Sequence, residues 1–441
     1  MKKLKLSSFQ VILLGFLGLI LIGAFLLMLP ISSKENIWTP FINALFTSTS
    51  ASCVTGLVVH DTGTYWSSFG QFIILLLIQI GGLGIITALT AFSLGAHRHI
   101  TLSHRKLLVD SVSAPYLGGI VRFIKMIFKI TFGIEGIFAC VLAFQFIPEF
   151  GVLKGVWFSI FHSISAFCNA GFDLLGTPEH LFPSLTAYVG NPLVTLSIAF
   201  LIILGGLSFM TYEDFRTHHF HFKKYRLQTK IILVTTLFLL VIPTLYFFLS
   251  QYRDLPWKER LLASIFQAVT PRTAGFNTTD MTKLSENSLL IMSILMTIGG
   301  APGSTAGGMK VTTFATMLIS SFAIFRQKER CEAFGRTIPD SVVKNAATIF
   351  MLYISACIIS AIMIAQLENI PIIQTIFETA SAVGTVGLTV GITPTLGTIS
   401  RCILIFLMLM GRIGGVTLMI SVFPNVNKNR GKLVEEHIVV G

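Results

Sequence analysis

Charge is scarce in this chain: Asp, Glu, Lys and Arg make up 12% of its 441 residues, against 53% hydrophobic ones. That scarcity excludes a soluble domain as a reading of most of the chain and leaves an all-α polytopic membrane protein. Cysteine is also sparse. The six present never fall into a C-x-x-C pair, which argues against a thiolate metal site or a redox dithiol; most lie in apolar runs as small helix residues, and no disulfide is expected. No H-E-x-x-H helix, no paired aspartates and no serine with a nearby base occur on the apolar runs, so an intramembrane enzyme lacks its constellation. The histidines His97, His99, His104, His218, His219 and His221 lie in loops without acidic or cysteine ligands at regular spacing. A solvated, partner-facing surface is the preferred reading over a metal site.

Acidic residues number 20 against 32 basic ones. The resulting charge of +12 is scattered over short loops, which does not suit a nucleic-acid surface. It sorts instead by membrane side. Basic residues fill the N-terminus and the stretches 98–129, 216–230, 326–344 and 428–432, whereas the opposite loops carry Asp61, Asp173, Glu179, Asp254, Asp280, Glu286 and Glu368. Both termini are therefore expected in the cytoplasm. Spanning runs appear at residues 11–29, 72–94, 130–146, 194–210, 231–249 and 346–364, with two more, 289–325 and 402–422, interrupted by polar residues and glycines. Eight spans are expected. The first run follows Lys2, Lys3 and Lys5 but lacks a small-residue cleavage site, and is read as a retained helix.

Four stretches at intervals of roughly one hundred residues open with phenylalanine and end in glycine. They are residues 46–56 (F-T-S-T-S-A-S-C-V-T-G), 161–171 (F-H-S-I-S-A-F-C-N-A-G), 266–275 (F-Q-A-V-T-P-R-T-A-G) and 377–387 (F-E-T-A-S-A-V-G-T-V-G). Each sits between apolar runs and is too short to span. The order in each quarter is helix, pore helix, filter, helix, with the quarters at 1–97, 98–218, 219–335 and 336–441, running parallel. Non-helical backbone at membrane depth must be buried in protein or line water, so four such returns should converge on one aqueous axis. The closing tripeptides are Val54-Thr55-Gly56, Asn169-Ala170-Gly171, Thr273-Ala274-Gly275 and Thr385-Val386-Gly387. The last spells the opening of the T-V-G-Y-G loop, whose backbone carbonyls replace the hydration shell of potassium. Pore helices ending near Ala51, Ala166, Val269 and Ala382 would aim their partial negative charge at the axis, and Asp61 and Asp173 would add negative potential at the outer mouth.

These residues resemble the Trk/Ktr/HKT superfamily of potassium transporters, and most closely its Ktr-type membrane subunit. The resemblance covers essentially the whole chain. It is carried by Ala44-Leu45-Phe46-Thr47, Val54-Thr55-Gly56-Leu57, Asp61-Thr62-Gly63, Ala170-Gly171-Phe172, the run Gln267 to Asn277, Phe377-Glu378-Thr379 and Gly384 to Thr389. It implies potassium uptake at the plasma membrane of a bacterium, with potassium at the filter carbonyls, sodium as an activator, no cofactor in this chain and no nucleic acid. It also implies a homodimer in the lipid bilayer on a cytosolic ring of RCK-type nucleotide-binding subunits supplied by another gene product. All four filter positions are glycine here, and Gly56 favours potassium by resemblance, since plant members with serine there transport sodium. An alternating-access secondary cation transporter is the alternative.

One interruption is Gly299-Gly300-Ala301-Pro302-Gly303-Ser304-Thr305-Ala306-Gly307-Gly308. A helix interior pays about 1 kcal/mol per glycine and about 3 kcal/mol per proline relative to alanine, so this segment is a loop inside the membrane. The resemblance makes it a gating loop beneath the filter; a static kink is the alternative. Arg412 should face the cavity near that loop, or pair with an acid such as Glu135. Lys310 belongs either to the cavity or to the cytoplasmic end of its helix. Arg272 is expected behind the filter, bonded to carbonyls or to Glu378. His162, Gln267 and Glu378, each directly after its phenylalanine, read as pore-helix anchors.

Overall fold

The computed structural model describes residues 7–95, 107–109 and 118–422. His97, His99, His104 and the basic residues of both termini lie outside them.

The described chain is helical almost throughout. First come α1 (Ser8–Met28), α2 (Phe41–Ser52), α3 (Ser68–Leu83) and α4 (Ile85–Gly95). Next are α5 (Ile120–Phe150), α6 (Val152–Phe167), α7 (Pro192–Gly206) and α8 (Phe209–His218). The third group is α9 (Leu227–Tyr246), α10 (Trp257–Val269), α11 (Glu286–Thr297) and α12 (Val311–Phe325). After a two-residue-stranded hairpin, β1 (Glu332–Ala333) and β2 (Arg336–Thr337), come α13 (Asp340–Glu368), α14 (Ile372–Gly384), α15 (Thr398–Ile413) and α16 (Gly415–Val422). Among the described residues, four helices are long and apolar enough to cross a membrane: α1, α5, α9 with its π-turn extension to Gln251, and α13.

The short helices α2, α6, α10 and α14 begin directly after Pro40, Gly151, Pro256 and Pro371. Proline or glycine there stops the preceding segment and releases the chain to turn back. The helices that follow start from side-chain caps at Ser67, Asn191 and Ser285, whose oxygens accept from first-turn amides.

The outgoing helices depart from the expected pattern. Residues 72–94 and 194–210 were expected to be continuous, yet the first is divided at Gly84, with φ of 84°, and the second at Leu207, after which α8 turns by 91° from α7. At Gly84 the left-handed backbone ends the helix. After Leu207 the Ser208 hydroxyl caps a new one by accepting from the Met210 amide. The interruptions expected in 289–325 and 402–422 are present, the latter at Gly414, with φ of 95°.

Packing runs in a circle. Outgoing helix α3 lies on α6, α7 on α10, α11 on α14, and α15 back on α2. Three of these helices approach a neighbouring turn through glycine: a Cβ at Gly81, Gly205 or Gly411 would overlap the carbonyl of Ser52, Phe167 or Val383 respectively. Each of those carbonyls lies four residues before a filter glycine. Gly205→Val should therefore lower the detergent-solubilised melting temperature, since overpacking costs about 1–3 kcal/mol, whereas Gly133→Val, with nothing within 4 Å of the added Cβ, should not. Equal melting temperatures for the two variants would show that this approach is not tight.

Candidate functional site

Phe46, Phe161, Phe266 and Phe377 are all fully buried and fix the four short helices in the interior. Their C-terminal ends fall within two residues of the expected positions. Beyond each end the backbone turns left-handed twice. The first position of each tripeptide has positive φ, at Val54 (57°), Asn169 (59°), Thr273 (69°) and Thr385 (51°), and so does each glycine, at Gly56 (95°), Gly171 (70°), Gly275 (82°) and Gly387 (94°). The residue between them does not. Glycine adopts a positive φ at no steric cost. For the β-branched Val54, Thr273 and Thr385 it is strained, at about 1–3 kcal/mol each.

A hydroxyl four residues after each phenylalanine holds this strained turn, a role that the sequence reading missed. Ser50 Oγ accepts from the Gly56 amide and Ser381 Oγ from the Gly387 amide, both at 3.0 Å. Ser165 Oγ donates to the Phe172 carbonyl at 2.7 Å, and Thr270 Oγ1 to the Phe276 carbonyl at 2.5 Å. The signal was present as a β-hydroxyl at one offset in all four stretches.

The four tripeptides meet one another in cyclic order. A Cβ on Gly56 would stand 2.5 Å from the Ala170 carbonyl oxygen, and one on Gly171 would stand 2.6 Å from that of Ala274. On Gly275 it would strike the Val386 carbonyl, and on Gly387 the Thr55 carbonyl. The ring thus closes on itself, with Val54, Thr55, Gly56, Asn169, Ala170, Gly171, Thr273, Ala274, Gly275, Thr385, Val386 and Gly387 all buried at its centre. Between the second and third members Asn169 Nδ2 donates to the Arg272 carbonyl (3.0 Å) and to Thr273 Oγ1 (3.2 Å).

The residues after the phenylalanines reach the segments leaving the ring. His162 Nε2 accepts from the Leu174 amide at 3.4 Å, with Nδ1 on the Phe158 carbonyl at 2.7 Å. Gln267 Nε2 points at the sulfurs of Met281 and Met292, and Glu378 accepts from Thr389 Oγ1 (2.8 Å) and Thr393 Oγ1. Arg272 is buried behind the ring, but its partner is Thr236 Oγ1 at 3.3 Å rather than Glu378. Thr389 and Thr393 already occupy that carboxylate.

On the basic side of the ring lies residues 299–308, closed at its base by Gly299 N to Met309 O (2.7 Å) and Val311 N to Gly300 O (3.0 Å). Its tip is tied to two other quarters of the chain. Ala301 N donates to Gly206 O and Thr305 N to Gly205 O, while Gly308 N donates to Gly411 O at 3.1 Å. Gly307 lies against the Thr385 hydroxyl and Gly308 against the Gly384 carbonyl. Arg412 does not pair with Glu135, whose carboxylate accepts from Gln79 Nε2 at 3.2 and 3.3 Å. Its guanidinium instead donates to the carbonyls of Thr305, Gly81 and Gly82. Lys310 Nζ turns back to the Ala306 (2.8 Å) and Gly307 (3.2 Å) carbonyls. Both cations line a cavity of about 180 Å³ together with Gly303, Ser304 and Ala306.

On the opposite side, a cavity of about 170 Å³ is lined by all four filter glycines with Asp61, Asp173 and Asp280. Asp61 accepts from Thr64 N (2.8 Å), Thr64 Oγ1 (2.9 Å) and Phe182 N (3.0 Å). Burial, with the Asp61 charge second, pushes the Asp173 carboxyl up to about 7.

A ring of four close-packed left-handed turns, with an acidic vestibule on one face and two cations on the other, has the chemistry to attract a cation. Comparison with known proteins agrees. A family model described as TrkH, a cation transport protein, matches residues 7–429. The chain belongs to that family.

Among TrkH relatives, the potassium/sodium uptake protein NtpJ of Enterococcus hirae is 41% identical over 99% of this chain and 98% of its own length. The Ktr system potassium uptake protein B of Bacillus subtilis is 41% identical over 93% of this chain and 92% of its own length. The crystal structure of the potassium transporter TrkH from Vibrio parahaemolyticus superposes with a TM-score of 0.76 at 19% identity, covering 96% of this chain and 86% of that one. At that identity the match speaks for the fold. The chain is accordingly a multi-pass membrane protein of a cation transport family. Because Asp173 is neutral below about 7 and ionised above it, cation uptake should rise as the pH on the vestibule side passes upward through that value. Asp173→Asn should flatten the rise; an unchanged slope would exclude this carboxylate as its source.

Proposed function

We propose that this TrkH-family chain is the ion-translocating subunit of a Ktr-type potassium uptake system. The closed ring of glycines, each packed on the next tripeptide's carbonyl, carries the reading. Four left-handed turns present backbone oxygens to one axis, and such oxygens replace a potassium ion's hydration shell. The names of the relatives at 41% identity supply the ion. In this reading eight spans cross the membrane, counting each broken outgoing helix once, with both termini cytoplasmic and the acidic vestibule outside. Residues 299–308 form a movable barrier under the filter and Arg412 is its latch. Two such chains sit on a cytosolic RCK-type ring that moves the barrier, and sodium acts as an activator.

Expression in a bacterium lacking potassium uptake tests the assignment: growth at limiting potassium should be restored, further with the regulatory partner present, and no rescue by a correctly inserted protein would overturn it. Gly56→Ser should reduce the preference for potassium over sodium, because the new side chain displaces the Ala170 carbonyl. Equal uptake of both ions before and after substitution would count against the filter.

The latch makes a separate prediction. Hydrogen bonds to a charged group contribute about 1.5–3 kcal/mol, so Arg412→Gln should raise flux about tenfold or more and weaken the partner's control. Shortening residues 299–308 should act in the same direction while selectivity survives. Unaltered flux in both well-inserted variants would leave the segment a fixed kink, and loss of selectivity would mean that it supports the filter.

A further inference from the structure

The outward faces of α9 and α12 carry large exposed apolar side chains, among them Phe238 and Phe322, each 60% exposed, as membrane-facing helices do. Between them runs a groove of about 340 Å³ lined by Ile231, Val234, Ala315, Leu318 and Ile319 and closed at its basic end by Ala333 and Phe334. Thr235 is its one polar lining residue. A peptide strand laid there would leave its amides unpaired, whereas a hydrocarbon chain would not.

The closing residue is unusual. Phe334 and Gly335 are the two-residue turn between β1 and β2, both with left-handed φ, of 51° and 73°. Asn-Gly is the favoured pair for such a turn, and an aromatic residue there is strained. Hairpin stability does not account for Phe334. Its ring caps the groove and meets Phe222 edge-on at 6.1 Å.

Around that cap stand cations. Lys223 and Lys224 directly follow Phe222, and Arg336 pairs with Ala333 across the hairpin; all three are exposed and, among the described residues, in no ion pair. The ammonium of Lys230 donates to the Lys223 carbonyl at 2.8 Å and lies 5.9 Å from the Phe222 ring. The adjacent acids Glu213 and Asp214 are engaged by Arg226, and Glu332 by Lys328. An apolar groove opening to the membrane and ending in net positive charge, even with Glu329 and Asp340 in the same stretch, matches one kind of molecule.

We propose that the groove holds an acyl chain of an anionic phospholipid whose phosphate is met by Lys223, Lys224 and Arg336. Its continuity with the lipid-facing surface favours lipid over a protein segment. Helix α12, one wall of the groove, follows directly on residues 299–308, so the bound lipid packs on the helix that carries the intramembrane loop.

The full-length protein, reconstituted in vesicles of phosphatidylcholine with or without phosphatidylglycerol and then re-extracted, tests this by mass spectrometry of retained lipid. Phosphatidylglycerol should be retained over phosphatidylcholine, and replacing Lys223, Lys224 and Arg336 with glutamine should lower its retention about fivefold for each cation removed. Phe334→Asn gives the turn its favoured pair, so it should lose lipid without losing thermal stability. No headgroup preference, or equal retention in the glutamine variant, would overturn the proposal. So would a shift in oligomeric state of Phe334→Asn with phosphatidylglycerol retention unchanged, which would mean that a second copy covers the groove. The readout is lipid retention, so failure of the potassium reading would leave this result standing.

Discussion

The whole arrangement depends on four backbones meeting at one axis without side chains between them. A Cβ at any filter glycine would overlap the next tripeptide's carbonyl, so the ring exists only because Gly56, Gly171, Gly275 and Gly387 have none. Everything outward from it maintains that closeness. The buried phenylalanines fix the depth of the short helices, and Gly81, Gly205 and Gly411 let the outgoing helices press on the turns from behind.

Strain explains the second layer. Val54, Thr273 and Thr385 are left-handed although β-branched, a conformation that the free chain would abandon. The hydroxyls of Ser50, Ser165, Thr270 and Ser381 compensate by bonding to the backbone on the far side of each turn. A net contribution of about 1 kcal/mol per bond is comparable to the strain that it opposes. The geometry is therefore set by backbone and hydroxyls together, with Asn169 replacing a branched residue in one quarter and linking it to the next.

Much of this was legible because the repeat itself is a spatial statement: nearly equal offsets from phenylalanine to glycine in all four quarters imply four equivalent places. The broken interior of 299–308 was also visible, since its composition forbids a helix. The breaks at Gly84 and Leu207 were not. Their flanks read as continuous apolar runs, and a single glycine or a serine cap inside such a run is ordinary in membrane helices. The acidic alternatives for the two arginines were not realised, although Arg412 does face the cavity beside residues 299–308 as expected. Charge pairing suggested Glu378 and Glu135, but threonines and a glutamine already satisfy those carboxylates; Arg272 donates to the Thr236 hydroxyl instead, and Arg412, at a broken helix, donates to backbone carbonyls.

Those carbonyls bear on how the proposed barrier would move. The tip of 299–308 is attached through Ala301, Thr305 and Gly308 to the second and fourth quarters, and through Arg412 to both the fourth and the first. Breaking three backbone bonds and the Thr305 hydroxyl bond at about 1 kcal/mol each and a charge-assisted one at about 2 kcal/mol sums to about 6 kcal/mol. An unaided barrier would then be open on the order of once in 10⁴. The proposed ring of partner subunits would need only to oppose that modest sum, by displacing α12 or α16, to switch the pathway. The filter would be spared, because its own bonds run to the short helices and between its members, while the loop meets it through Gly307 against Thr385 and reaches the ends of short helices through Gly308 and Thr305.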